Sequence, residues 1–108
     1  MTRFQEIISM MNSFSFPVDL DHVTPGKKVV YAVYSFATNN VGADETVYIE
    51  SYQFTLRVFT PKLDSKLDKE IKDAFALHEI TWTRDEPTWI DDAKVFELDY
   101  NFGIISGG

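Results

Sequence analysis

Cysteine is absent from the 108 residues, and that gap removes disulfide staples, thiolate metal sites and cysteine nucleophiles together. It fits a reducing compartment. Positive charge is scarce as well: 10 Lys and Arg stand against 17 Asp and Glu, a formal net charge of −7. Nonspecific nucleic-acid binding draws on surplus cations that displace counterions, so the field of this chain opposes it. The acidic balance reads as solubility and, more sharply, as a surface that must not stick to nucleic acid. No apolar run approaches the ~20 residues that a membrane-spanning helix needs. The start of the chain, MTRFQEIISMMNS, is interrupted by Glu6 and does not read as a signal peptide. The expectation is a soluble, intracellular protein with no membrane partner.

Apolar and aromatic residues are plentiful, 44% and 15% of the chain, enough for one folded domain over residues 1–108. Residues 2–13 predict a short amphipathic helix. Phe4, Ile7, Ile8 and Met11 share one stripe, and Thr2 with Gln5 has capping-box spacing. Residues 14–28 hold two prolines, including the Pro25-Gly26 pair. They predict an ordered loop with Phe14, Phe16 and Leu20 turned inward. Residues 29–36, VVYAVYSF, predict a strand apolar on both faces. A longer strand is expected over about 46–59, where Tyr52, Phe54, Leu56 and Val58 alternate with Gln53, Thr55 and Arg57. That alternation marks a sheet wet on one side. Pro61 ends this strand. Leu63, Leu67, Ile71, Ala74 and Phe75 then recur at helical spacing to about residue 78, opposite a face of mixed charge. A short strand at 80–83 carries Trp82. A turn at Asp85-Glu86-Pro87 follows, with Trp89 in the loop after it. The last strand runs from Phe96 to Phe102, and the final ISGG is expected to fray. The predicted class is α+β in the order α-β-β-α-β-β, a mostly antiparallel sheet with helices on one face.

Chemical motifs are sparse. His22 and His78 are the only groups with an ordinary pKa near neutrality, and neither has a catalytic motif around it. Asp19, Asp21 and His22, or Asp91 and Asp92, could supply oxygen or imidazole ligands, yet no HExxH or EF-hand spacing is present. Gly42-Ala43-Asp44 has one glycine and acidic neighbours where a phosphate cradle needs several glycines and no repulsion. No GxSxG occurs. These readings lead to a non-enzymatic protein without catalytic residues, metal or cofactor. Trp82 fits a core strand position, whereas Trp89 on a loop could anchor a partner. The stretch SFATNNVGADETVY is expected to be an extended connection between two strands. Asn39, Asn40, Val41, Gly42, Ala43, Asp44 and Glu45, together with Trp89, are the candidate contact residues.

The succession VVYAVYSFATNNVGADETVYIESYQFTLRVFTPK resembles small proteins of long-tailed phages and Gram-positive prophages, the tail-terminator or tail-completion family. The likeness rests on Asn39 or Asn40, Gly42-Ala43-Asp44, Val47-Tyr48, Tyr52–Leu56, the helix from Asp64, and Phe96–Phe102. The chain departs from that pattern around VTPGKK and VVYAVY, where the family more often shows consecutive prolines and a less uniformly apolar strand. The resemblance implies a homo-oligomeric ring, usually a hexamer, capping the head-proximal end of the tail tube. Its implied partners are further copies of itself, the tail-tube protein and a head-neck protein. Its implied location is the virion tail, and the host cytoplasm during assembly. The residues alone leave other readings open: a head-closure protein, a small acidic adaptor or inhibitor, or a minor enzyme subunit with its active site at an interface.

Overall fold

Thr2 caps α1 (Arg3–Asn12) in the manner its spacing predicts. Its Oγ1 accepts from the Gln5 amide at 3.1 Å, while its own amide donates to Gln5 Oε1 at 3.0 Å. Two orphan donors of the first turn are satisfied reciprocally. The chain is described here by a computed structural model covering residues 2–20, 30–41 and 49–107, with residues 39–41, 49–50 and 106–107 described by backbone alone. Ile7, Met10 and Met11 are buried, and Phe4 and Ile8 pack half-buried against the same core.

The second helix, α2 (Ser65–Leu77), is capped by Asp64, whose carboxylate accepts from the Lys66 amide at 2.9 Å. Leu67, Ile71 and Phe75 are buried along its apolar stripe. Its C-terminus closes in a Schellman motif. The Ile80 amide donates to the Phe75 carbonyl at 2.8 Å and the Glu79 amide to the Ala76 carbonyl at 3.2 Å. Glu79 sits at the left-handed position, with φ of 56°, where glycine is usual.

Both helices lie on one face of a six-stranded sheet. β1 (Val18–Leu20) runs parallel to β2 (Tyr31–Val41), which pairs antiparallel with β3 (Ile49–Thr60). Two short strands, β4 (Trp82–Arg84) and β5 (Thr88–Ile90), both pair antiparallel with β6 (Val95–Gly107), and β6 pairs antiparallel with β3. Tyr34, Phe54, Leu56, Val58, Leu98, Tyr100 and Phe102 form the helix-side core. The opposite face carries Thr55, Arg57, Asp99 and Asn101, plus a smaller cluster of Val33, Phe59 and Val95 flanked by Tyr31 and Ile90.

The class is α+β as expected, but the observed order is α-β-β-β-α-β-β-β. β1 lies inside the segment expected to be a loop, because the Ala32 amide donates to the Pro17 carbonyl at 2.9 Å and sets up a parallel partner. Phe14 and Phe16 are buried there as expected, whereas Leu20 is 53% exposed on the edge. Residues 105–107, expected to fray, are held as strand by pairing with Ile49–Ser51. The apolar strand needed cover on both faces. At Val33 that cover comes from Phe59 and Val95 within the chain.

Candidate functional site

The stretch read as a connection between strands is in large part strand. Asn39, Asn40 and Val41 stand opposite Ser51, Glu50 and Ile49, so β2 continues to the very start of β3. Asparagine disfavours strands in isolation, but a partner strand that offers its hydrogen bonds rung by rung overrides that local preference. Gly42, Ala43, Asp44 and Glu45 lie outside the described residues.

Residues of three strands therefore form one end of the molecule. Ala37, Gln53 and Gly103 share a rung, as do Asn39, Ser51 and Ile105. Strands of 11 to 13 residues make the protein long and narrow, 50 × 26 × 22 Å. On the helix side Phe4 of α1 reaches this end, its ring 5.2 Å from Phe36 and 4.7 Å from Tyr52. On the other side Ile105 is 69% exposed. The sequence offered no sign of this contribution from residues 103–107, because Gly103, Ser106 and Gly107 break the alternating pattern that marks Phe96 to Phe102.

Trp89 is on β5 rather than in a loop, opposite Phe96, with ring centroids 4.8 Å apart in a T-shaped arrangement. It remains 46% exposed. Phe96 and Ile105 are nine positions apart along β6, about 30 Å at the usual strand rise. Trp89 and the Asn39–Val41 segment thus occupy opposite ends of the sheet and do not form one surface. Trp82 packs half-buried on Phe75 and Tyr100, 5.8 Å from each, with Lys72 over its ring at 5.7 Å.

Two carboxylates, one on each face of the sheet, are strongly conditioned. Asp68 of α2 accepts from Tyr100 Oη, Arg84 Nη1 and Lys72 Nζ, the latter two at 3.0 and 2.8 Å. Burial pushes its carboxyl up, but hydrogen bonds from Lys72 and Tyr100 and the Arg84 charge outweigh this and hold it below the usual range. Burial first, and the bond to Asp68 second, raise the Tyr100 phenol. This cluster ties α2 to β4 and β6 and is structural.

Asp99, on the face without helices, differs. Its Oδ1 is buried and meets no donor, and its Oδ2 stands 4.0 Å from Arg57 Nε. Burial, then the hydrogen bond and charge of neighbouring Glu97, with Asp85 adding to them, push its carboxyl up to about 7 against the pull of Arg57.

His78 joins the two helices. Its Nδ1 lies 2.8 Å from Glu6 Oε2, and Arg3 donates to the His78 carbonyl at the end of α2. The bond from His78, and a second from Arg3 Nη1 to the same Glu6 oxygen at 2.8 Å, hold the Glu6 carboxyl below the usual range. His22 and Asp21 lie outside the described residues, and Asp91 pairs with Lys94 at 2.9 Å. Among the described residues no group of three or more His, Asp or Glu side chains is placed to hold a metal ion. No described helix is long and apolar enough to cross a membrane. A groove of about 410 Å³ runs between the residues after α1 and the start of α2. Glu70 crosses it to bind the Ser15 amide and hydroxyl, both at 2.7 Å.

No protein-family model matches the chain, and no curated protein matches it in sequence. Among solved structures, a chain in the virion of a native gene transfer agent particle is similar, with a TM-score of 0.57 and 14% identity. The likeness covers 99% of this chain and 92% of that one. At this identity it is a likeness of fold. The chain shares that fold, end to end, with a component of a virion.

Proposed function

We propose that this chain is a non-enzymatic structural subunit of a phage-like virion. Within the particle it forms the ring that ends the tail tube and joins it to the head. The observation that carries the reading is the two-way coverage of the structural likeness, 99% of this chain against 92% of the virion chain. A fragmentary match would leave room for a grafted domain with another role. The net charge of −7 is consistent with a channel through which DNA passes without adhering. Its partners in this reading are further copies of itself, the tail-tube protein and a head-neck protein.

Deleting the gene and imaging the particles tests the proposal. Filled heads beside tails of uncontrolled length, restored to normal by the gene supplied in trans, are the expected result. Tails of normal length detached from heads would assign the protein to head closure instead. Normal infectious particles lacking the protein would overturn the virion reading altogether.

A further inference from the structure

Past β4 the chain leaves the ladder for three residues. Asp85, Glu86 and Pro87 stand opposite two, Leu98 and Asp99, before β5 resumes the pairing at Thr88. A bulge of this kind bends its strand and re-aims the side chains beyond it. Trp89 is the first large one. It lies on the helix side of the sheet in edge contact with Phe96 and keeps 46% of its surface exposed. Leu98 follows Phe96 two positions along the same face, about 7 Å at the usual strand rise.

There a groove of about 240 Å³ opens toward the start of α2. Its apolar lining is Leu98 from the sheet, Pro87 from the bulge and Leu63 from the turn before the helix. Its charged groups are already engaged within the fold. Asp68 and Arg84 bind each other at 3.0 Å, Asp68 also holds Lys72 and Tyr100, and Asp64 caps α2. What remains for a visitor is apolar surface, and Leu63 is 53% exposed.

The chain on either side of Trp89 is acidic. Asp85 and Glu86 precede it, Asp91 and Asp92 follow it, and all four are exposed. Lys94 pairs with Asp91 and Arg84 with Asp68, so Asp85, Glu86 and Asp92 make no ion pair among the described residues. Lys62 and Lys66 do not line the groove. An indole face attracts a cation through its quadrupole, and nearby carboxylates add their charge. The chain makes this arrangement once for itself: Lys72 Nζ stands 5.7 Å from the Trp82 ring centroid and 2.8 Å from Asp68. At Trp82 the cation is supplied from within. At Trp89 the ring and the acids are present without one.

We propose that Trp89 and the adjoining groove dock a basic segment of another protein. A Lys or Arg of that segment lies over the Trp89 indole, and an aliphatic side chain two positions away enters the groove. Side chains at i and i+2 of an extended segment share one face about 7 Å apart, which matches the step from Phe96 to Leu98. A second copy of this chain brings a net charge of −7 and is a poor occupant. Nucleic acid is a worse one, since the same carboxylates repel its phosphates. The inference concerns one surface and stands apart from the virion reading.

The probe is a capped heptapeptide, Leu-Ser-Arg-Ser-Leu-Ser-Arg, titrated into isotope-labelled protein and followed by NMR. The indole N–H signal of Trp89 and the amides of residues 85–92 should shift saturably, while the Trp82 indole stays in place. Affinity should fall at least threefold between about 0.02 and about 0.3 M salt, and the peptide with Glu in place of Arg should not bind. Trp89→Ala should weaken binding about fivefold or more, and Trp89→Tyr should restore most of it. Glu86→Gln combined with Asp92→Asn, both at exposed positions, should weaken it about threefold. No saturable shift, shifts centred on another surface, or equal binding of the acidic peptide overturns the proposal. So does a folded Trp89→Ala that binds like the parent. Should that variant fail to fold, unchanged binding by the Glu86→Gln, Asp92→Asn protein overturns it instead. A protein that binds the peptide yet is absent from particles keeps the docking surface and sinks the virion reading. One present in particles that ignores the peptide does the reverse.

Discussion

Two of the residues that depart from what local chemistry prefers, Glu79 and Asp99, have measurable consequences. Glu79 holds a left-handed conformation at the end of α2, which costs a residue with a Cβ about 1–2 kcal/mol relative to its usual region. Glycine removes that cost but makes the unfolded chain freer, so Glu79→Gly should stabilise by about 0.5–1 kcal/mol net in urea denaturation. The Arg3 bond to this position uses the Glu79 carbonyl and survives the substitution. Asp99 is the second case. Its carboxyl is pushed up to about 7 in the folded protein, against about 3.9 unfolded. Between those values the folded state binds the extra proton, so Asp99 makes stability fall as pH rises from about 4 to about 7. Asp99→Asn should therefore raise the melting temperature at pH 8 and leave it unchanged near pH 4. Parallel curves for variant and parent across that range would show that Asp99 is ionised throughout. Neither residue could be singled out from sequence. Asp99 looks like any polar member of an alternating strand, and only the fold sets Glu97, Asp85 and Arg57 around it. The Thr2–Gln5 cap was legible because its spacing encodes its own partner.

Elements were legible in proportion to how much of their stabilisation is local. α2 follows from its periodicity, and Phe75 in its last turn is fully buried, with ring centroids 5.2 Å from Phe102 and 5.8 Å from Trp82. Phe75→Ala should cost about 3–5 kcal/mol, a large part of the stability of a domain this size, measured as a fall in the urea midpoint. A loss below about 1 kcal/mol would mean that the site collapses around the smaller side chain. The short strands were less legible. β1 is three residues long and exists through its parallel partner, and β5 had the appearance of a loop because Pro87 precedes it. The bulge explains the last point: Pro87 needs no ladder donor where three residues face two. The same limit hid the extension of β6 past Phe102, where glycines and a serine leave the partner strand to specify the conformation. Of the candidate contact residues, Asn39 to Val41 lie on β2 at one end of the sheet and Trp89 lies on β5 at the other.

At the scale of the whole molecule, the ring proposed above would have to bring together copies that each carry a net charge of −7. Like charges on adjacent subunits oppose association by an amount that salt screens, since the Debye length shrinks from about 30 Å at 0.01 M to about 8 Å at 0.15 M. Apolar and backbone contacts are short-ranged and far less sensitive to ionic strength. Self-association should therefore strengthen as salt rises from about 0.01 to about 0.3 M, read as a growing weight-average mass in sedimentation equilibrium. An interface built from opposite charges gives the contrary slope, so dissociation on adding salt would show that ion pairs, and not apolar or backbone contacts, hold the copies together. The same acidity predicts no retention on DNA at either salt, because a subunit with 10 cations and 17 acids has few counterions to release. A protein that assembles more readily as its charge is screened, yet never adheres to DNA, has the two properties that a conduit for nucleic acid requires of its wall.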